Sequence, residues 1–276
     1  MVHVGYDYPV SCNCIVDSYD LRGMAMSDKN YELYLGDCLE LMKDIPDKSI
    51  DMILCDLPYG TTQCKWDVVI PFEPLWKQYN RIIKDNGAIV LFGSEPFSSK
   101  LRMSNLKMFK YDWVWKKTMA SNFALCKKQP FKKHEMVSVF YKKQPTYNPQ
   151  MEVGEPYVDK RQSGKRNASV GTDDGITRQP INNIGTRYPS SVQEFSNGNN
   201  GNVHPTQKPV DLLEYLIKTY TNEGEVILDN CMGSGSTGVA ALNLHRKFIG
   251  IELDEKYFEI AKERIENQYL GLQRCI

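Results

Sequence analysis

Short apolar runs punctuate an otherwise polar chain, and helical stripes separate most of them. Five runs stand out: SIDMILC (49–55), GAIVLFG (87–93), MVSVFYK (136–142), EVILDN (225–230) and KFIGIE (247–252), with DWVWKK (112–117) as a sixth candidate. Near-continuous apolar runs of this length suit strands buried on both faces, which are usually parallel. Between the first two, FEPLWKQYNRIIKDNG sets Leu75, Tyr79, Ile82 and Ile83 on one helical face, with Gly87 closing the helix. PVDLLEYLIKTYT aligns Leu212, Leu213, Leu216, Ile217 and Tyr220, with Pro209 suited to the first turn. DEKYFEIAKERIENQYL starts on acids and buries Phe258, Ala261 and Ile265. Strand–helix alternation predicts an α/β fold built on a doubly wound, mostly parallel sheet.

The alternation also suggests how the chain is divided. Residues 1–28 lack periodicity and are expected to be a poorly ordered tail, since MSDKNYELYLGDC from Met26 reads like a natural start. Residues 29–144 and 204–276 carry the alternation and form one expected domain. Residues 145–203, rich in Gly, Asn, Ser, Thr, Gln and Arg, break it and are expected to be a partly mobile insertion. No internal repeat is visible.

The stretch EVILDNCMGSGSTGVAALNLHRKFIGIE (225–252) combines a strand ending at Asp229, glycines 233, 235 and 238 in G-x-G-x-x-G spacing, a helix, and a second strand ending on Glu252. Such glycines also occur in plain strand-to-helix turns. With the helix and the acid in place, a ribose-bearing cofactor is favoured: backbone approaches it closely, the helix start offers free N–H groups, and the acid accepts from ribose hydroxyls. These residues leave a dinucleotide and S-adenosylmethionine (SAM) both open. One strand–helix unit follows the cradle, too little for a complete dinucleotide fold, so the order looks permuted.

A second abrupt strand end is ILCDLPYG (53–60). Asp56 and Asp229 both sit at strand C-termini, where ligands of doubly wound sheets bind, so the two stretches can face one crevice. A flat ring with an exocyclic amino group would stack on Tyr59 and donate to Asp56 and to the Leu57 or Pro58 carbonyl.

Composition, 41% apolar and 25% charged, is ordinary for a soluble globular chain. Nothing approaches the roughly 18 apolar residues of a membrane span, and the first 25 residues do not read as a signal peptide, so a cytoplasmic location is expected. The eight cysteines are scattered with no CxxC pair and read as reduced, mostly buried thiols, with no metal expected. The zero net charge hides a split. Residues 100–170 carry 16 Lys+Arg against 5 Asp+Glu, whereas residues 1–99 carry 8 against 15 and residues 171–276 carry 10 against 14. Lysine doublets start at 116, 127, 132 and 142 near several aromatics, which favours a nucleic-acid surface over a merely solvated face.

Four of these motifs, in order, resemble the permuted beta group of amino DNA methyltransferases. DLPYG (56–60) is similar to that family's D-P-P-Y catalytic motif, and LDNCMGSGSTG (228–238) to its cofactor motif L-D-P-F-x-G-S-G-T-T. HPTQKP (204–209) is similar to the segment before the cofactor motif, and YLGDCLELM (34–42) to the acidic motif upstream of the catalytic one. The resemblance spans roughly residues 30–270.

It implies a Rossmann-like, seven-stranded class I methyltransferase sheet, SAM as methyl donor with S-adenosylhomocysteine as product, and a site-specific enzyme acting on a base rotated out of DNA. Asp56, Pro58 and Tyr59 would hold that base. Gly233, Ser234, Gly235 and Thr237, below Asp229, would wrap the methionine end of SAM. Glu252 would meet the ribose and Asp37 the adenine amino group, with Lys208 and Asp56 beside the cofactor. Leu57 and Cys231 depart from the family's Pro and Phe without removing a catalytic group. Asp at the head of the motif favours adenine N6 over cytosine N4, whose relatives tend to begin with Ser. RNA and protein-glutamine relatives usually begin with Asn. A non-catalytic nucleic-acid-binding relative and a nicotinamide oxidoreductase are the readings from other classes.

Lys116, Lys117, Lys127, Lys128, Lys132, Lys133, Lys142 and Lys143 are candidate phosphate contacts. Segment 145–203 becomes the expected target-recognition region through Arg161, Lys165, Arg166, Arg178 and Arg187. His134 suits a structural or phosphate-side role. DNA is the implied partner, a homodimer and a cognate restriction endonuclease are compatible with it, and a prokaryotic or phage origin is expected.

Overall fold

The computed structural model describes residues 29–61, 67–159, 181–197 and 207–274. The expected tail, residues 1–28, lies outside the described residues. In chain order the strands are β1 (Tyr31–Leu35), β2 (Ile50–Cys55), β3 (Ile83–Gly93), β4 (Phe109–Lys117), β5 (His134–Phe140), β6 (Glu152–Val153), β7 (Tyr157–Asp159), β8 (Ile181–Asn183), β9 (Thr186–Arg187), β10 (Val192–Phe195), β11 (Val226–Asp229) and β12 (Lys247–Glu252). The helices are α1 (Cys38–Leu41), α2 (Phe72–Ile82), α3 (Phe97–Ser104), α4 (Val210–Tyr220), α5 (Ser236–Asn243) and α6 (Glu255–Gln273).

Among the described residues, eight strands make the central sheet, in the order β1-β12-β11-β2-β3-β5-β4-β10. The two short ladders β6–β9 and β7–β8 stand apart from it. From β1 to β3 every pairing is parallel, so the C-terminal ends of β1, β12, β11 and β2 lie along one edge. The period of two sorts the side chains between two helical layers. Met52, Leu54, Ala88, Val90, Phe92, Ile227 and Phe248 face α4, α5 and α6. Ile53, Cys55, Ile89, Leu91, Leu228 and Ile251 face α2 and α3. Burial on both faces explains why these strands read as unbroken apolar runs.

The remaining strands depart from the expectation. MVSVFYK, expected to be parallel, becomes β5 and runs antiparallel to both β3 and β4. The connection 118–133 holds only a 3-10 turn at Phe123–Leu125, and an antiparallel pair needs no crossover helix. An eighth strand appears where seven were expected, because β10, drawn from the segment read as an insertion, pairs in parallel with β4. The stretch YELYL, read only as part of an acidic motif, is strand β1 at the other edge. Gly87 does not close α2. It lies inside β3, where an added Cβ would meet the Asp51 carbonyl at 2.8 Å, so the close approach of β2 requires glycine there. Pro209 stands at the N-cap of α4 rather than within its first turn. Among the described residues, no helix is long and apolar enough to cross a membrane.

Tyr220, at the end of α4, ties this helix to the antiparallel strands. Its hydroxyl accepts from Trp113 Nε1 at 2.6 Å and lies 2.9 Å from the Tyr111 hydroxyl, in a buried setting. Tyr220→Phe strands the Trp113 N–H in the core, and such a loss costs about 1–3 kcal/mol. Urea unfolding is expected to show that drop as a lower midpoint with unchanged slope.

Candidate active site

At the strand tips the chain opens a cleft of about 620 Å³. Its lining includes residues of the DLPYG turn, the glycine loop and the segment at Gln207–Lys208. The DLPYG turn leaves β2 as the strand ends. Leu57 turns inward and is buried in the α2/α3 layer, which holds the turn down while Asp56, Pro58 and Tyr59 line the cleft. Tyr59 is half-buried, with its ring stacked on Phe97 at 5.0 Å. Its hydroxyl donates to Asp56 Oδ1 at 2.5 Å. Burial, and then the Asp56 carboxylate, raise the Tyr59 pKa well above the ordinary value, so it remains a donor. The turn is closed by Asp67, which accepts from Gly60 N at 2.8 Å and Thr61 N at 2.9 Å.

Asp56 Oδ2 is ion-paired with Lys208 Nζ. Lys208 is buried, and the same Nζ lies 3.5 Å from Glu135 Oε2. Glu135 in turn pairs through Oε1 with the buried Lys117. A chain of alternating charge, Asp56–Lys208–Glu135–Lys117, thus runs through β2's tip, the entry to α4, β5 and β4. Burial opposes the charge on Lys208, but Asp56 and Glu135 outweigh it and raise its pKa. Burial likewise opposes ionised Glu135, and Lys208 and Lys117 outweigh that, holding its pKa below the usual value.

The glycine loop forms the opposite wall. Gly233 has φ 53°, a left-handed conformation, and a Cβ there would meet no atom within 4 Å, so the loop presents open backbone. Its N–H donates to Glu252 Oε2 at 2.8 Å, while Glu252 Oε1 accepts from Leu253 N and Asp254 N. A carboxylate has about four acceptor sites, so one on Oε2 is left for a hydroxyl. Asp229 is buried and accepts from the Thr237 hydroxyl at 2.6 Å and from Cys231 N at 3.1 Å. Burial pushes its carboxyl up to about 6. Asp37 caps α1 through Oδ1, at 2.7 Å from Leu39 N, and lines the cleft. Ser234 and Thr237 line it as well, but Gly235 does not. An added Cβ at Gly235 would sit 3.0 Å from Ala261 Cβ, so this glycine serves the close packing of α5 on α6.

The two walls are pinned together by neighbouring residues. Lys208 holds Asp56, and Gln207 Oε1 accepts from Ser234 Oγ at 3.3 Å. Behind them, Tyr79 of α2 donates to Asn230 Oδ1 at 2.5 Å.

The sequence model of the DNA methylase family matches residues 50–263. The chain belongs to the DNA methylase family. It is 28% identical over 260 residues to Type II methyltransferase M.HpaI of Haemophilus parainfluenzae, covering 87% of this chain and 75% of the relative. It is 28% identical over 249 residues to the DNA adenine methyltransferase YhdJ of Escherichia coli K12, covering 84% and 81%. The solved M1.HpyAVI–SAM complex superposes with a TM-score of 0.58 at 25% identity, covering 85% of this chain and 98% of that one.

For a DNA methylase, the lysine-rich stretch proves more divided than its sequence suggests. Lys117 is no phosphate contact, because it is buried on Glu135. Lys116 pairs with Glu194 of β10 at 2.6 Å. Lys142 donates to the Asn80 carbonyl and Lys143 pairs with Asp85, both at the edge where β3 begins, away from the cleft. Lys132 donates to Ser94 Oγ and lines the cleft, while Lys127, Lys128 and Lys133 are exposed on the β4–β5 loop, with His134 exposed where β5 begins. Arg187 lies over the Tyr157 ring at 4.6 Å and donates to Asn183 and to the Glu155 carbonyl, which fixes it within the small ladders. Arg161, Lys165, Arg166 and Arg178 lie outside the described residues.

Glu135 went unread in the sequence, although a signal existed: it is the sole carboxylate between Asp112 and Glu152, set in the most basic part of the chain. Arg264, whose Nη1 donates to Ser234 Oγ at 2.9 Å, supports the glycine loop from α6 with no local signature. Cys231, where the family has Phe, accepts from Asn230 Nδ2 through its thiol at 3.5 Å, and burial pushes the Cys55 thiol up to about 12.

Lys208→Met leaves the part-buried Asp56 and Glu135 carboxylates without their shared cation. Removing one partner of a fully buried pair costs about 3–5 kcal/mol, and urea unfolding is expected to show a loss toward the lower end of that range, because water reaches Asp56. Asp229 sets a pH dependence. With its folded pKa raised, its stabilising contribution is complete below the unfolded value of 3.8 and is lost as pH rises through about 6. Relative to Asp229→Asn, the wild type is expected to lose about 2 kcal/mol between roughly pH 4 and pH 7, read from urea unfolding at each pH.

Proposed function

We propose that the protein transfers the methyl group of SAM to the N6 amino group of a specific adenine in DNA by direct displacement, with the base rotated into the cleft. The observation that carries this reading is the junction at Gln207–Lys208, which binds the Asp56 carboxylate on one wall and the glycine loop on the other. The residues of the second wall suit SAM. Open backbone at Gly233, the start of α5 at Ser236 and Thr237, the spare acceptor on Glu252 and the Asp37 carboxylate would hold its methionine, ribose and adenine parts. Bound there, SAM supplies an electrophilic methyl on a sulfonium.

The protein's part is to place and polarise the attacking nitrogen. The amine lone pair of adenine is delocalised into the ring. Asp56 and the turn carbonyls accept its N–H bonds, which favours a pyramidal, nucleophilic nitrogen, and Tyr59 offers a surface for the ring. Tyr59 and Lys208 fix Asp56 in place through both of its oxygens, so positioning supplies much of the rate. No cysteine of the chain is required as a nucleophile. The insertion, residues 145–203, is the proposed target-recognition segment. A homodimer, a cognate restriction endonuclease and a cytoplasmic location in a bacterial or phage-infected cell complete the proposal.

Incubation with SAM and plasmid DNA, followed by single-molecule modification mapping, tests it by reporting base, atom and sequence context together. N6-methyladenine in one context is the expected result. N4-methylcytosine, the other product that the family's description allows, would overturn the adenine assignment. Asp56→Ala is expected to lower methylation by at least about a thousandfold, roughly 4 kcal/mol in the barrier, with SAM affinity measured by calorimetry nearly unchanged.

A further inference from the structure

We propose that the β4–β5 loop, residues 118–133, is a wedge that enters the DNA duplex beside the target base, with Phe123 and Phe131 filling the stack that the rotated base leaves. This rests on the DNA-methylating reading above and adds to it the element that opens the helix.

The loop is ordered by its own hydrogen bonds. At its neck Lys117 N donates to the Lys133 carbonyl at 2.8 Å and Ser121 N to the Lys132 carbonyl at 3.2 Å. Asn122 clasps the two arms, donating to the Pro130 carbonyl at 3.0 Å and accepting from Lys132 N at 2.7 Å. Inside, the 3-10 turn Phe123–Leu125 is extended by Lys128 N and Gln129 N, both donating to the Leu125 carbonyl. A loop so tied could fold its apolar groups inward, yet it presents them to solvent. Met119 is 56% exposed, Phe123 60%, Leu125 43% and Phe131 51%. The two phenylalanine rings lie 5.4 Å apart, tilted by 58°, as one aromatic tip.

Charge and position indicate the occupant. No carboxylate occurs from residue 116 to residue 134, Lys127 and Lys128 are exposed toward the tip, and Lys133 is exposed at the neck. That is complementary to a phosphate backbone, whereas an apolar protein partner would leave these cations desolvated. The loop's neck is also part of the cleft, because Ser121 and Lys132 line it together with Asp56 and Tyr59. A duplex that delivers a base to Asp56 therefore meets the tip. Apolar side chains inserted at a base step compensate for lost stacking, and an aromatic face does so for any base.

The test uses duplex oligonucleotides carrying the site found by modification mapping, either fully paired or mispaired opposite the target adenine. Both phenylalanines are exposed, so Phe123→Ala/Phe131→Ala is expected to keep the wild-type unfolding midpoint and SAM affinity. It is expected to methylate the paired duplex at least about tenfold more slowly, with the mispair, which weakens the stack, restoring the rate to within about threefold of wild type. Phe123→Trp is expected to retain activity on both duplexes. Equal losses on the two duplexes, or no loss on the paired one, overturn the wedge. A change in the mass of the DNA-free variant by light scattering also overturns it, by assigning the tip to self-association. A wild type that binds SAM but methylates neither duplex removes the activity reading and the wedge with it. An active wild type with an unaffected variant removes the wedge alone.

Discussion

The ion pair between the buried Lys208 and the part-buried Asp56 organises the rest of the molecule. Two charges taken out of water are tolerable only when each finds a partner close by, and these lie 152 positions apart in the chain. Satisfying Lys208 draws in Glu135 from β5, and satisfying Glu135 draws in Lys117 from β4. The parallel half of the sheet, the antiparallel half and the entry to α4 are thereby locked to one another at the point where the cleft opens. Because Gln207 precedes Lys208 and touches the glycine loop, the same lock sets the separation of the two walls. The proposed catalysis by positioning depends on that rigidity, since Asp56 would orient an amine only if its own oxygens are fixed.

The basic middle of the chain serves two ends. Part of its charge is internal or paired: Lys117 neutralises Glu135, Lys116 pairs with Glu194 on the edge strand, and Lys143 pairs with Asp85 at the far edge of the sheet. Among the described residues, what remains toward the cleft is concentrated on one loop. The surface available to a polyanion is thus smaller and better placed than a net charge of +11 over residues 100–170 would suggest, because an antiparallel strand pair sends its two ends to opposite edges. The Lys142–Lys143 doublet leaves β5 at the edge where β3 begins, whereas the doublets at 127 and 132 sit beside the cleft.

Much of this was legible in the sequence wherever one local constraint dominated. Residues 52–55, 226–228 and 248–251 had to be apolar, since helices cover both faces of those strands, and each run stops at the acid that marks its tip. Phe258, Ala261 and Ile265 gave away the buried face of α6. The elements that escaped were those whose residues are half-exposed or short. YELYL alternates polar and apolar at a sheet edge, and VQEF is four residues long with two polar positions, so neither stands out from loop. Gly87 looked like a helix stop because glycine has that use locally, whereas its cause was non-local: the backbone of β2 passes too close for a Cβ. Gly235 combines a local cause, its left-handed φ of 77°, with a non-local one, the close packing of α6.

By itself the sequence determined the fold class, the family and the identities of Asp56, Tyr59, Asp229 and Glu252, because strand periodicity, turn chemistry and motif order are local properties written in adjacent residues. Only the tertiary structure decided which charges neutralise one another, which lysines remain exposed near the cleft, and that Glu135 belongs to the cleft at all. Those outcomes depend on desolvation, and desolvation is set by what packs against a side chain from distant parts of the chain.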